Sequence, residues 1–123
     1  MGASALIMAG HGPLRDGLQA LVGTMPQIGA VEAVSDVDAT LRRDFDRCPA
    51  LVLLDANLVE GKVWLAVRRV KTRWQRARVI VLAQGVQQQE EAEAAGADAV
   101  LLQGFPAGRL VSAIVKLLPQ PAV

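Results

Sequence analysis

Cysteine is nearly absent: Cys48 stands alone among 123 residues. No internal disulfide can form, and such a chain suits a reducing cytoplasm. With Pro49 after it, Cys48 reads as a semi-buried spacer rather than a nucleophile. Long apolar runs are missing too. Runs such as Ala50 to Leu54 and Ala99 to Leu102 fall far short of the roughly 20 residues that span a bilayer, so no transmembrane helix is expected. The N-terminus lacks a basic segment, a long apolar stretch and a small-residue cleavage site in that order, and secretion is not indicated. Neither sign of charge dominates. Thirteen Lys and Arg against 12 Asp and Glu leave a net charge of +1, which singles out neither nucleic acid, nor an acidic substrate, nor a membrane surface. There is no internal repeat, and Gln87 to Gln89 is too short to count as low complexity.

What is present is apolar content of 52%, enough for one domain with its own core. Five short runs rich in Val, Leu and Ile read as buried strands: Ala5 to Ala9, Val31 to Ser35, Leu51 to Asp55, Val79 to Ala83 and Ala99 to Gln103. Helical patterns alternate with them. Pro13 opens a helix with Leu14, Leu18, Leu21 and Met25 at helical spacing, and Asp36 can cap a second running to about Phe45. Val63, Val67, Val70 and Trp74 share one face of a third, with Arg68, Arg69, Lys71 and Arg73 elsewhere. No aromatic is expected among those charges, so they read as a solvated face rather than a nucleic-acid surface. Glu90 to Ala95 with a Gly96 stop gives a fourth helix, and Pro106 to Leu118 a fifth.

Alternation of doubly apolar strands with helices implies an α/β fold, a doubly wound five-stranded parallel sheet of flavodoxin-like order 2-1-3-4-5 with five helices. Residues 1–118 are expected to form this domain. Residues 119–123, P-Q-P-A-V, read as a stiff tail or the start of a linker. In such sheets the site lies beyond the carboxyl ends of the strands, where strand order switches. That rule sets Asp55, at the end of the third strand, beside the loop Ala9 to Pro13, with Ala83 and Gln103 bordering the same crevice.

The stretches L-I-M-A-G-H-G-P-L-R-D-G-L, P-A-L-V-L-L-D-A-N-L and A-G-A-D-A-V-L-L-Q-G-F-P resemble, in order and spacing, the receiver domain of two-component response regulators. They are most like the subgroup in which a receiver precedes a helix-turn-helix output domain. The resemblance implies that Asp55 occupies the position phosphorylated by a histidine kinase. It also implies that two acids after the first strand would hold Mg²⁺ with that aspartate; here those positions are Ala9 and Gly10. A hydroxyl residue would end the fourth strand, where Ala83 stands, and a lysine the fifth, where Gln103 stands. The aromatic switch position is Val100, and the proline expected after Leu58 is Val59. Of a possible metal set only Asp55, the backbone carbonyl of Asn57 and His11 are left. The chain is therefore expected to be a degenerate receiver, a pseudo-receiver that is not an enzyme, needs no cofactor and works through protein contacts. A conventional receiver phosphorylated on Asp55, with Mg²⁺, is the alternative.

Asp55 can equally be an acid that ends a strand and accepts hydrogen bonds from the next loop, with Asn57 shaping the turn. His11 is its nearest candidate for a cationic partner, although a turn or surface role fits it better. The glycines of A-G-H-G-P-L-R-D-G raise a small-ligand alternative at a helix N-terminus, but match neither a dinucleotide fingerprint nor a P-loop. On the fifth helix the apolar residues from Leu110 to Leu118 cover an arc of about 200°, wider than a helix resting on a sheet needs. Leu110, Ile114 and Leu117 are assigned to a dimer face there. The resemblance implies the same, since receivers commonly pair through their fourth helix, fifth strand and fifth helix. DNA would be reached only through an output domain outside this chain, and no membrane contact is expected.

Overall fold

The computed structural model describes residues 2–43 and 48–118. Five strands, β1 (Ala3–Met8), β2 (Ile28–Val34), β3 (Leu51–Asp55), β4 (Arg78–Ala83) and β5 (Ala99–Leu102), form one sheet in the order β2-β1-β3-β4-β5. Every pairing is parallel. Five helices connect or follow them: α1 (Pro13–Gly23), α2 (Val37–Arg42), α3 (Val63–Arg73), α4 (Val86–Ala95) and α5 (Ala107–Leu117). A 3-10 turn, Ala56–Val59, follows β3. The doubly wound sheet of order 2-1-3-4-5 is thus present. Among the described residues no helix is long and apolar enough to cross a membrane.

The strand sequences explain the layering. Leu51 to Leu54 and Val79 to Leu82 are fully buried, so β3 and β4 need apolar cover on both faces. On one face Leu6, Met8, Val52, Leu54, Val79 and Val81 pack against α2, α3 and α4, including Leu41, Val63, Val67, Val70 and Ala92. On the other, Ile7, Leu51, Leu53, Ile80 and Leu82 meet Leu18 and Val22 of α1 and Leu110 and Ile114 of α5. Full burial of one such side chain is worth about 1.5–3 kcal/mol.

Several sequence expectations shift. β2 starts at Ile28 rather than Val31, because Gly29 lets the chain pass against Gly2; a Cβ on Gly29 would sit 2.7 Å from the Gly2 nitrogen. α2 ends at Arg42, where Arg43 turns extended, and Phe45 lies outside the described residues. The Asp36 cap is present, accepting the Ala39 N–H at 3.0 Å. α4 begins at Val86 and takes in the glutamine run; Gln88 Oε1 accepts the Gln84 N–H at 2.7 Å and closes its first turn. Gly96 ends it in the left-handed region at φ 106, which glycine adopts without strain. Cys48 is exposed and free rather than semi-buried. The dimer-face assignment on α5 is corrected as well: Leu110 and Ile114 are fully buried in the core and Leu117 packs against it, leaving Val115, 46% exposed, as the large apolar residue turned outward.

Asp98, just before β5, ties three elements together. Its Oδ2 accepts Lys71 Nζ at 2.6 Å and the Val79 N–H at 2.8 Å, and its Oδ1 accepts Arg78 Nη1 at 3.3 Å. Burial pushes this carboxyl up, but the hydrogen bonds from Lys71, Val79 and Arg78 outweigh it and hold the group below its ordinary value. A group so held binds fewer protons folded than unfolded. Its stabilisation is complete above the unfolded value near 3.8 and is lost as pH falls through the lower folded one. Asp98→Asn is expected to cost roughly 1–3 kcal/mol in urea unfolding at pH 7. Repeating the titration at a pH below that of the folded carboxyl should show the gap between variant and wild type closing.

Candidate functional site

The strand order switches between β1 and β3, since the connection through α1 leads to one side of β1 and that through α2 to the other. At the carboxyl end of β3 the chain reaches Asp55, the first charge after four fully buried residues, itself 8% exposed. Ala9, following β1, is buried; Gly10 beyond it is exposed, with open space where a Cβ would stand. Ala83 closes β4 and is fully buried. The Gln103 N–H donates to the Ala83 carbonyl at 2.8 Å, which carries the β4–β5 pairing to the rim and brings the Gln103 side chain toward Asp55.

Two donors converge on one oxygen of Asp55. The Asn57 N–H reaches Oδ1 at 3.0 Å and caps the 3-10 turn, and Gln103 Nε2 reaches the same oxygen at 3.2 Å. Both donors are neutral, and among the described residues no ion pair includes Asp55. The structure therefore brings together Asp55, Asn57 and Gln103, with Ala9 and Ala83 as apolar walls. It does not bring in His11: that residue is exposed, and no hydrogen bond or ion pair joins it to Asp55. Val100 is half-buried and packs against the core shared with α2, α3 and α4.

Mg²⁺ demands hard oxygen donors in near-octahedral array, commonly including carboxylates. Ala9 and Gly10 supply no side-chain oxygen, and among the described residues no three His, Cys, Asp or Glu side chains are grouped to hold a metal. The residues at this site do not fit the divalent cation. The Gly-rich loop leads to a groove of about 370 Å³ between α1 and α5, lined mainly by apolar residues such as Leu14, Leu18, Leu21, Phe105 and Leu110 together with Gln103, and with no charged side chain to meet a nucleotide phosphate.

One surface feature escapes a reading of charge alone. Trp64 is 45% exposed and the Arg68 guanidinium lies 5.0 Å from its ring centre, so an aromatic does stand among the α3 charges. The signal was its place one residue after Val63, about 100° off the buried stripe.

No protein-family model matches the chain, and no curated protein matches it significantly. Solved structures do. A LuxR-family two-component response regulator from Aurantimonas is 22% identical, with a TM-score of 0.81 over 96% of this chain and 86% of its own. A LuxR-family DNA-binding response regulator from Silicibacter pomeroyi is 24% identical, with a TM-score of 0.77 over 94% and 91%. The receiver domain of a sensor histidine kinase from Pseudomonas aeruginosa, solved with magnesium coordinated in its active-site cleft, is 19% identical, with a TM-score of 0.76 over 98% and 100%. The fold is that of the response-regulator receiver domain.

Asp55→Ala removes the cap of the 3-10 turn and the acceptor for Gln103. It is expected to lower stability by about 1 kcal/mol, as loss of a side-chain cap does, measured by urea unfolding. An unchanged or higher midpoint would mean that these two hydrogen bonds do not hold the site together.

Proposed function

We propose that this chain is a pseudo-receiver: a signalling domain that acts by protein contact, in part with a second copy of itself, rather than by accepting a phosphoryl group. The carrying observation is the neutral surrounding of Asp55, where an alanine and a glycine follow β1 and an amide, Gln103, reaches the carboxylate. Phosphoryl transfer depends on cations that offset charge on the phosphoryl oxygens. Removing a single preorganised donor costs about 3 kcal/mol in such sites, and an amide hydrogen bond is weaker than one from an ammonium. On this reading the domain is not an enzyme and uses no metal. An exposed free cysteine accords with a reducing cytoplasm. A histidine kinase would be at most a docking partner, and DNA would be reached through another domain.

Beryllofluoride added with Mg²⁺ to labelled protein tests this directly. The amide NMR spectrum is expected to stay unchanged around Asp55, Asn57 and Gln103. Shifts at these residues that vanish in Asp55→Asn would instead establish a conventional receiver.

The α4–β5–α5 face supports the contact reading. Leu102 and Val115 are exposed there, α4 carries Glu90, Glu91 and Glu93, and α5 carries Arg109 and Lys116 without an acid. Complementary signs on neighbouring helices of one face suit a two-fold dimer in which each α4 meets the partner's α5. Val115→Glu is expected to abolish a dimer detected by sedimentation at high micromolar concentration. Its unfolding midpoint should hardly change, as for other exposed positions. A wild-type chain that sediments as a monomer at that concentration would remove this element of the reading.

A further inference from the structure

The outward face of α3 is a separate surface from the one just described. The stretch Lys62 to Arg78 carries more than half of the chain's 13 Lys and Arg residues and no Asp or Glu. Much of that charge is already engaged. Arg69 pairs with Asp38, Lys71 and Arg78 pair with Asp98, and Arg73 donates to the carbonyls of Leu41 and Arg43. Lys62, Arg68 and Arg76 make no ion pair among the described residues, and all three are exposed.

Helical spacing sets Arg68 four residues after Trp64 and three after Leu65, so the three adjoin on one outward patch. Trp64 is 45% exposed, Leu65 is 46% exposed, and the guanidinium stacks on the indole at 5.0 Å. Leaving a tryptophan and a leucine side by side in water is costly, and the stack favours an arrangement with Trp64 and Arg68 already adjacent. Aromatic and arginine side chains, preorganised and adjacent, are the composition of interface hot spots. Beside the patch, a groove of about 670 Å³ between α2 and α3 has Val37, Leu58, Val59 and Ala66 among its lining, with the acids Asp36, Asp38 and Glu60 offset by Lys62 and Arg69. The groove therefore carries no excess of positive charge of the kind that tracks a nucleic-acid backbone.

We propose that Trp64, Leu65 and Arg68 form a docking patch for a protein helix presenting an apolar stripe flanked by carboxylates. The apolar stripe covers Trp64 and Leu65, while a carboxylate meets the uncompensated Arg68 guanidinium in a charge-assisted, bidentate contact. The patch does not depend on Asp55 or on the dimer face, so it stands or falls apart from the function proposed above.

Trp64 gives the test its own reporter, because Trp74, the other tryptophan, is buried. An amphipathic helical peptide of leucine and glutamate is titrated into the full chain at physiological salt, with oligothymidylate in a parallel titration. The expected result is a saturable blue shift of tryptophan emission with the peptide. Amide NMR should map the contact to α3, and Arg68→Glu and Trp64→Ala, whose spectra otherwise stay native, should each weaken binding about tenfold or more. Peptide binding that ignores both substitutions overturns the proposal. So does the absence of saturable binding up to about 1 mM peptide, the weak limit for a specific contact. Binding of oligothymidylate without the peptide overturns it in favour of a nucleic-acid surface.

Discussion

Two adjacent strands, β3 and β4, are buried on both faces, and most of the architecture follows from that. Each lays a continuous apolar run between two helix layers, which forces parallel pairing and helical crossovers. Right-handed crossovers then place the reversal of strand order between β1 and β3. The first residue of β3 able to carry charge is Asp55, at the mouth of that reversal. Its position is thus a product of packing, independent of whether any chemistry takes place there.

Electrostatics decides what the position can do. Asp55 is nine-tenths buried and accepts an amide and a backbone N–H on Oδ1, and among the described residues no cationic side chain pairs with it. On the pseudo-receiver reading proposed above, the groups that suffice to hold an aspartate in a folded domain are too few and too weakly charged to stabilise a phosphoryl group. The fold shared with response-regulator receivers does not by itself fix what this site does, as fold and function are separable. The contacts proposed above lie on surfaces where charge and apolar area remain unmatched, on α4, α5 and α3.

The strands most buried were the most legible in the sequence. Leu51 to Leu54 and Val79 to Leu82 are read correctly because continuous apolar runs leave few alternatives, and the Asp36 cap is read from its side chain alone. The rim positions Ala9, Asp55, Ala83 and Gln103 follow from topology once the strands are known. Less legible were elements whose making depends on distant partners. β2, expected from Val31, starts at Ile28 once Gly2 packs against Gly29, and α4, expected from Glu90, starts at Val86, where Gln88 closes the turn. The wide apolar arc of α5 looks like spare surface. In fact, beyond the buried Leu110 and Ile114, Val111, Ala113 and Leu117 pack partly against the core, so only Val115 is left over. The exposure of Trp64 was readable from helical phase, but its stacking with Arg68 needed three-dimensional placement.

Restoring the missing charges and the hydroxyl is the most direct test of the idea that their loss, and not the fold, silences Asp55. A variant carrying Ala9→Asp, Gly10→Asp, Ala83→Thr and Gln103→Lys would be treated beside wild type with acetyl phosphate and Mg²⁺ and read by intact-protein mass spectrometry. The expected result is a phosphoryl adduct on Asp55 in the restored variant and none in wild type. An adduct on Asp55 in the wild-type chain, at a level the restored variant does not exceed, would contradict it.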